Sequence, residues 1–529
     1  FQEKHKIVAT AMLNIRDYSY NTQGSAVSGL GASSISDPTS GGKITSISSG
    51  SSQNRSVGLL GQIHYNYAER YMVTAGVRYD GNSRLGRNYR WGTFPSLQAV
   101  WRISNESFLV NEEWLDELKV RGSWGMSGNS PSKNYTYFGQ FSSNGSFMDM
   151  DAIKPTSMQL NNLKWETTTQ YNAGLDMTFF NDKVSVVLEY YKKVTDDLLQ
   201  TDVPVQSTSG FSSVAYFNSG KMENRGWEIM IDLRNIVKIG DFSFSVTNLN
   251  LSRNRNRVLE LPSNLTFDNA DENENKNGQY IQRVVPGNPI GSFYGYKYQG
   301  VYQNYNETLA RDANGNVIQN IYGEDVIMSI NSYTMRAGDA KYEDVNHDGI
   351  LDRYDVVYLG NSMPILTGGA SLNFTYKGLR LRTSFQTRIG QSVINEARMN
   401  SESMYNGNNQ STSVLKRWRH EGDQTDIPRA LWGRGYNYVG SDRFVEKASF
   451  LRLKDVMLSY TLPKQLVKKW RLQNVSCYIT AYDVFTWTNY KGQDPEVGIS
   501  SSKGIFQLAK DQSYTPRPFR LALGLTIDF

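Results

Sequence analysis

One cysteine, Cys477, stands in the whole chain of 529 residues, so no disulfide can form within it. Long apolar runs are also missing. Nowhere do roughly 18 apolar residues follow one another, and this excludes a transmembrane helix. The four histidines, His5, His64, His347 and His420, are scattered and never take an HExxH spacing. No GxSxG occurs, and Asp196-Asp197 reads as a solvated acidic pair at a strand-to-loop junction rather than a glycosidase pair. No enzymatic activity is therefore expected. A net charge of +5 is too slight to argue for nucleic acid.

What the chain has in abundance is alternation. In FRLALGLTIDF, Phe519, Leu521, Leu523, Leu525, Ile527 and Phe529 take every second place. Successive side chains of a strand point to opposite faces, so one face here is wholly apolar. In a membrane barrel such a face meets lipid and the other lines the lumen. Barrel strands need only about 10 alternating residues, so a mean hydropathy of −0.52 does not exclude membrane insertion. The 33 tyrosines and 22 phenylalanines suit the aromatic girdles of such a barrel.

The same pattern recurs along the chain. Lys6 to Ile15 reads as a first strand. Leu59 to Tyr67 and Tyr71 to Tyr79 form a hairpin around Ala68-Glu69-Arg70, and Tyr171 to Phe179 and Val184 to Tyr190 form another around Asn181-Asp182-Lys183. Ala370 to Tyr376 returns through Lys377-Gly378. Further strands are expected near 94–102, 118–126, 228–233, 242–251, 456–462 and 475–484. Residues 21–54 are Ser/Gly-rich and read as a long loop, as do 263–278, 287–362 and 390–445. Short turns alternating with very long loops are expected of an outer-membrane barrel, not of a soluble sandwich. About 16 strands are expected. The opening FQEKHKIVAT resembles the middle of a strand rather than a signal peptide, so the chain is expected to be part of something larger.

Several segments resemble the SusC/RagA-type TonB-dependent outer-membrane transporters. They are Tyr65 to Ser104, LKVRGSWGMSGN from Leu118, Leu163 to Leu199, SFLRLKDVMLSYTLP from Ser449, and YKGQDPE from Tyr490. The resemblance implies an all-β fold, a transmembrane antiparallel β-barrel of the 22-stranded type with its plug absent here. Residues 1–529 would then be the carboxy-terminal part of one barrel with long extracellular loops. It also implies import of a nutrient, an oligosaccharide or a peptide, with a passive porin as the alternative. Implied partners are a SusD-like surface lipoprotein, the TonB complex acting through the missing amino-terminal part, and outer-membrane lipid.

Two local motifs remain. DVNHDGILDRYD fits a twelve-residue calcium loop, with Asp344, Asn346 and Asp348 at positions one, three and five and Gly349 at six. Ile350 would offer its carbonyl, Asp352 sits at nine and Asp355 at twelve. A bound Ca²⁺ or Mg²⁺ stiffening the loop is one reading; an Asx-rich turn without an ion is the other. In RALWGRGYNYVGSDRF, Trp432, Tyr436 and Tyr438 lie among Gly and Arg. They could stack on a substrate or meet a partner, or pack the loop onto the rim.

Overall fold

The computed structural model describes residues 4–262, 276–281, 283–498 and 508–529. Fourteen strands follow one another in chain order in a single sheet. They are β1 (His5–Leu30), β2 (Gly41–Tyr67), β3 (Tyr71–Asn82), β4 (Trp91–Arg102), β5 (Leu115–Asn129), β6 (Glu166–Phe179) and β7 (Val184–Asp196). Then come β8 (Lys221–Ile239), β9 (Phe242–Glu260), β10 (Leu366–Tyr376), β11 (Leu379–Ile389), β12 (Phe450–Thr461), β13 (Asn474–Thr488) and β14 (Arg520–Asp528). Every strand expected from alternation is present. The remaining alternating stretches pair locally in small sheets, such as Leu199–Pro204 with Ser213–Asn218. That is why the principal sheet has 14 strands and not about 16. Among the described residues no helix is long and apolar enough to cross a membrane.

The chain divides into two compact units. The first comprises residues 1–106, 120–173 and 193–222. Its β2–β3 hairpin has the expected register, with Tyr67 opposite Tyr71 and Leu59 opposite Tyr79. Ala68 and Glu69 take positive φ in the turn. Outward-facing Ile63, Val73, Val77 and Leu97 are exposed, as a lipid-facing surface requires. Two aromatic tiers bound this apolar band. Tyr67 stacks on Tyr71 and Tyr71 on Trp101 at one end, and Tyr79 stacks on Trp91 at the other. The steps from Tyr71 to Tyr79 span roughly 27 Å along the strand at about 3.4 Å each, close to the height of a barrel's apolar band.

Residues 21–54 are a correction. Only 31–40 are a loop; the rest is the upper part of a ribbon, with Tyr20 opposite Ser52, Gly24 opposite Ser48 and a bulge at Ala26/Val27. Ser and Gly have low strand propensity, and that hid the ribbon in the sequence. The backbone ladder needs no apolar side chain, and its two strands continue a register already set by β1 and β2 below. At the tip Asp37 accepts the Thr39 N–H at 2.9 Å beside Pro38. A satellite core of Leu85, Tyr137, Leu163 and Tyr216 packs beneath the other long connections of this unit.

The second unit comprises residues 107–119, 174–192 and 223–529. Its connections alternate strictly. The β6–β7, β8–β9 and β10–β11 links are short, whereas β9–β10, β11–β12 and β13–β14 are long. Antiparallel order puts all the short links at one end. The long ones are not loose. They form two contiguous cores: Tyr280, Phe293, Ile394, Met399 and Phe444 in one, and Tyr296, Tyr302, Ile330, Met335 and Leu351 in the other. The part of the Asn/Asp-rich loop expected at 263–278 that falls in 263–275 lies outside the described residues.

Candidate functional site

In the second unit the inner face of the sheet is polar. Arg380 and Arg382 alternate up β11 and lie opposite Thr375 and Asn373. Cavities of about 590 and 370 Å³ open on this face, the first reaching Gln386 and Arg388, the second Arg380 and Arg382. On the outer face Leu451, Phe485 and Trp487 are exposed, an aromatic tier at the long-connection end.

At that end β12 presents Arg452, 3% exposed. Its guanidinium meets Asp494 at 2.6 Å and Glu496 at 2.8 Å, and its Nε donates to Thr486 Oγ1 at 2.9 Å. Glu496 also receives Arg388 at 2.9 Å and Arg517 at 3.1 Å. Burying so much charge is costly unless every member is paired, and here each is. The QDPE turn thus pins the β13–β14 connection to the wall. Nothing in the local sequence of this motif points to its partner, because Arg452 lies more than 40 residues away on β12.

A second ion pair ties the loops to one another. Asp339, wholly buried, binds Arg429 at 2.7 Å, while Tyr333 donates its hydroxyl to Asp339 at 3.0 Å. In a third, Glu402 pairs with Arg398 at 3.1 Å and Arg443 at 3.0 Å, and Arg398 also reaches Glu446 at 3.0 Å. Buried Tyr280 and half-buried Tyr298 have their hydroxyl pKa values pushed well up by desolvation, so both stay neutral donors. Apart from Arg398 and Glu402, four apart at the end of a short helix, these ion partners lie too far apart in the chain for any spacing rule to join them.

Trp432, Tyr436 and Tyr438 do not form one patch. Trp432 is exposed, Tyr436 is half-buried with its ring edge-on to Tyr333, and Tyr438 is buried against Tyr405. Only Trp432 offers a free aromatic face.

The Asp344 to Asp355 segment is tightly wound. Asp344 accepts the Gly349 N–H at 2.8 Å, and Asp348 accepts those of Ile350 at 2.8 Å and of the Asn346 side chain at 2.8 Å. Asp352 accepts the Tyr354 N–H. Asp355, buried, accepts Val345 N–H at 2.7 Å and Asp352 N–H at 2.9 Å, closing a capping box. Gly349 has φ +84°, and a Cβ there would strike Ala310 at 2.8 Å. Among the described residues no group of three or more His, Cys, Asp or Glu is gathered to hold a metal ion. The all-oxygen set suits a hard cation, but both Asp355 oxygens already serve the backbone.

The model of the family described as TonB dependent receptor-like, beta-barrel matches residues 7–346. The chain belongs to this family. It is an outer-membrane barrel chain, and the apolar outer face and polar inner face take their meaning from that. TonB-dependent receptor P26 of Formosa agariphila is 32% identical over 479 residues, 89% of this chain and 46% of the relative. TonB-dependent receptor SusC of Bacteroides thetaiotaomicron is 29% identical over 496 residues, 90% of this chain and 44% of the relative. The chain spans about half the length of the curated relatives it matches. A solved structure of the RagAB peptide transporter superposes on 100% of this chain and 54% of its own with a TM-score of 0.80 at 24% identity, and shows the shared fold.

Proposed function

We propose that this chain is wall and loop body of an importer that carries a nutrient across the outer membrane, powered through the TonB complex. The carrying observation is the union of a lipid-facing sheet with a rigid, ion-paired loop body at one end only. A freely open pore needs no such body; a receptor that must seat a ligand and a lid does. The lid is a SusD-like surface lipoprotein, resting on loops 287–362 and 390–445, and residues 1–529 are one barrel's carboxy-terminal part. Oligosaccharide is the first substrate reading, supported by the exposed Trp432 ring, since aromatic faces stack on sugars. A peptide is the second, supported by the likeness to RagAB peptide importers. Uptake of labelled oligosaccharides and peptides by cells with and without TonB tests both. Uptake unchanged without TonB would favour the passive porin.

The Asp344 segment is also proposed to hold Ca²⁺ or Mg²⁺ through Asp344, Asn346, Asp348, Asp352 and the Ile350 carbonyl. Such an ion would stiffen the loop and take no part in transport chemistry. Calorimetric titration of calcium into the whole receptor and its Asp348→Asn variant checks this. Identical heats would dismiss the ion.

A further inference from the structure

The outer face of the second unit is not uniformly filled. Between β11, β12, β13 and β14 lies an apolar groove of about 560 Å³, walled by Leu379, Leu458, Tyr460, Ile479, Leu523 and Leu525. It exists because Cys477, opposite Leu525 and Tyr460, is the small residue among large neighbours. On the opposite face Gly524 lies under the Tyr478 ring, where a Cβ would approach Tyr478 Cζ to 2.1 Å.

Between β12 and β13 comes the short link of residues 462–473, which carries no acidic residue. It holds a one-and-a-half-turn helix, Lys464–Lys469, anchored by buried Val467. Lys464, Lys468, Lys469 and Arg471 are exposed, and among the described residues none is paired with a carboxylate. The Lys377-Gly378 turn lies alongside, since Thr461 N–H donates to the Gly378 carbonyl at 2.9 Å. Asp528, at the end of the neighbouring strand, is taken by the Asn474 side chain at 3.1 Å. Leu466 and Trp470 are exposed beside the cations, the composition of a membrane-interface anchor. Cys477 lies three steps into β13, roughly 10 Å along the strand from this basic link at about 3.4 Å per residue.

We propose that this groove and link together bind one anionic glycerophospholipid. Its acyl chain lies over Cys477 and its phosphate among Lys464, Lys468, Lys469 and Arg471. The short links are periplasmic in such barrels, so the lipid belongs to the inner leaflet. Four unpaired cations around one headgroup favour a net negative lipid over a zwitterionic one.

The test is native mass spectrometry of the whole receptor, stripped of bulk lipid in detergent and offered phosphatidylglycerol, phosphatidylcholine or lipid A. One phosphatidylglycerol should be retained. Occupancy should fall at least tenfold in K464Q/K468Q/K469Q/R471Q and in C477F, and stay unchanged in K183Q at another short turn. Heat-modifiable gel mobility identifies variants that fold. Should a variant misfold, alkylation of Cys477 in the native receptor decides. Phosphatidylglycerol should slow it several-fold more than phosphatidylcholine. Equal retention of both phospholipids, preference for lipid A, or indifference to the variants overturns the site.

Discussion

The sheet and the loop body of the second unit use the same side chains in opposite senses. On β14 Leu523 and Leu525 are 80% and 64% exposed; in the loop body Phe293 and Ile330 are wholly buried. Charges follow the reverse rule. In the loop body Asp339 and Glu402 are buried in ion pairs, whereas the sheet's outward face is almost free of charge. The sheet gains from lipid what the loops must obtain from one another. A lipid-facing leucine needs no protein partner, while a loop body with only short helices and strands needs a core of its own to offset its chain entropy.

Replacing Phe293 by Ala should give the largest effect, about 3–5 kcal/mol, because it opens a cavity in a closed core. Hydrogen exchange should show the loops opening while the sheet stays protected. If the sheet melts with them, the two regions are not separately stabilised. Arg452→Ala should cost a similar or slightly smaller amount, about 3 kcal/mol, by leaving Asp494 without its cation while Glu496 keeps only Arg388 and Arg517. Proteolysis of the β13–β14 connection would report it. Leu523→Arg should cost roughly 2–4 kcal/mol near the bilayer midplane, read by reversible unfolding in lipid vesicles. A negligible cost would put this face away from lipid.

The smallest effect concerns pH. Asp423 is held below its ordinary 3.8 by the Arg419 and His420 backbone N–H groups, so the stability it adds is lost as pH falls through its folded value. Burial raises Asp442, despite the N–H it accepts from Tyr298, so its contribution is fullest below 3.8 and fades as pH rises through its folded value. Acidification should therefore loosen the turn at 419–423 and not the Tyr298–Asp442 contact. Amide exchange, corrected for intrinsic rate, separates the two.

Legibility followed the same division. Alternation is a local signal, so the Leu59 to Tyr79 hairpin and the Phe519 to Phe529 strand could be read directly. The upper part of the β1–β2 ribbon could not, because serine alternation carries no hydrophobic signal. The ion pairs could not either: Arg452 with Glu496, or Asp339 with Arg429, join residues that only the folded loops bring together. Of the aromatic motif, Trp432 stayed exposed while Tyr438 was drawn into a core, and nothing in WGRGYNY distinguishes the two.

The two tiers of Tyr71 with Trp101 and Tyr79 with Trp91 have a mechanical consequence. They are joined by one strand of fixed covalent length, so their separation cannot adjust. The bilayer is the softer body, and it must stretch or thin to meet them. A membrane of mismatched thickness would store elastic energy in a ring of lipid around the protein. Relaxing that ring draws like-height barrels together, so crowding into patches is driven by geometry without any protein contact.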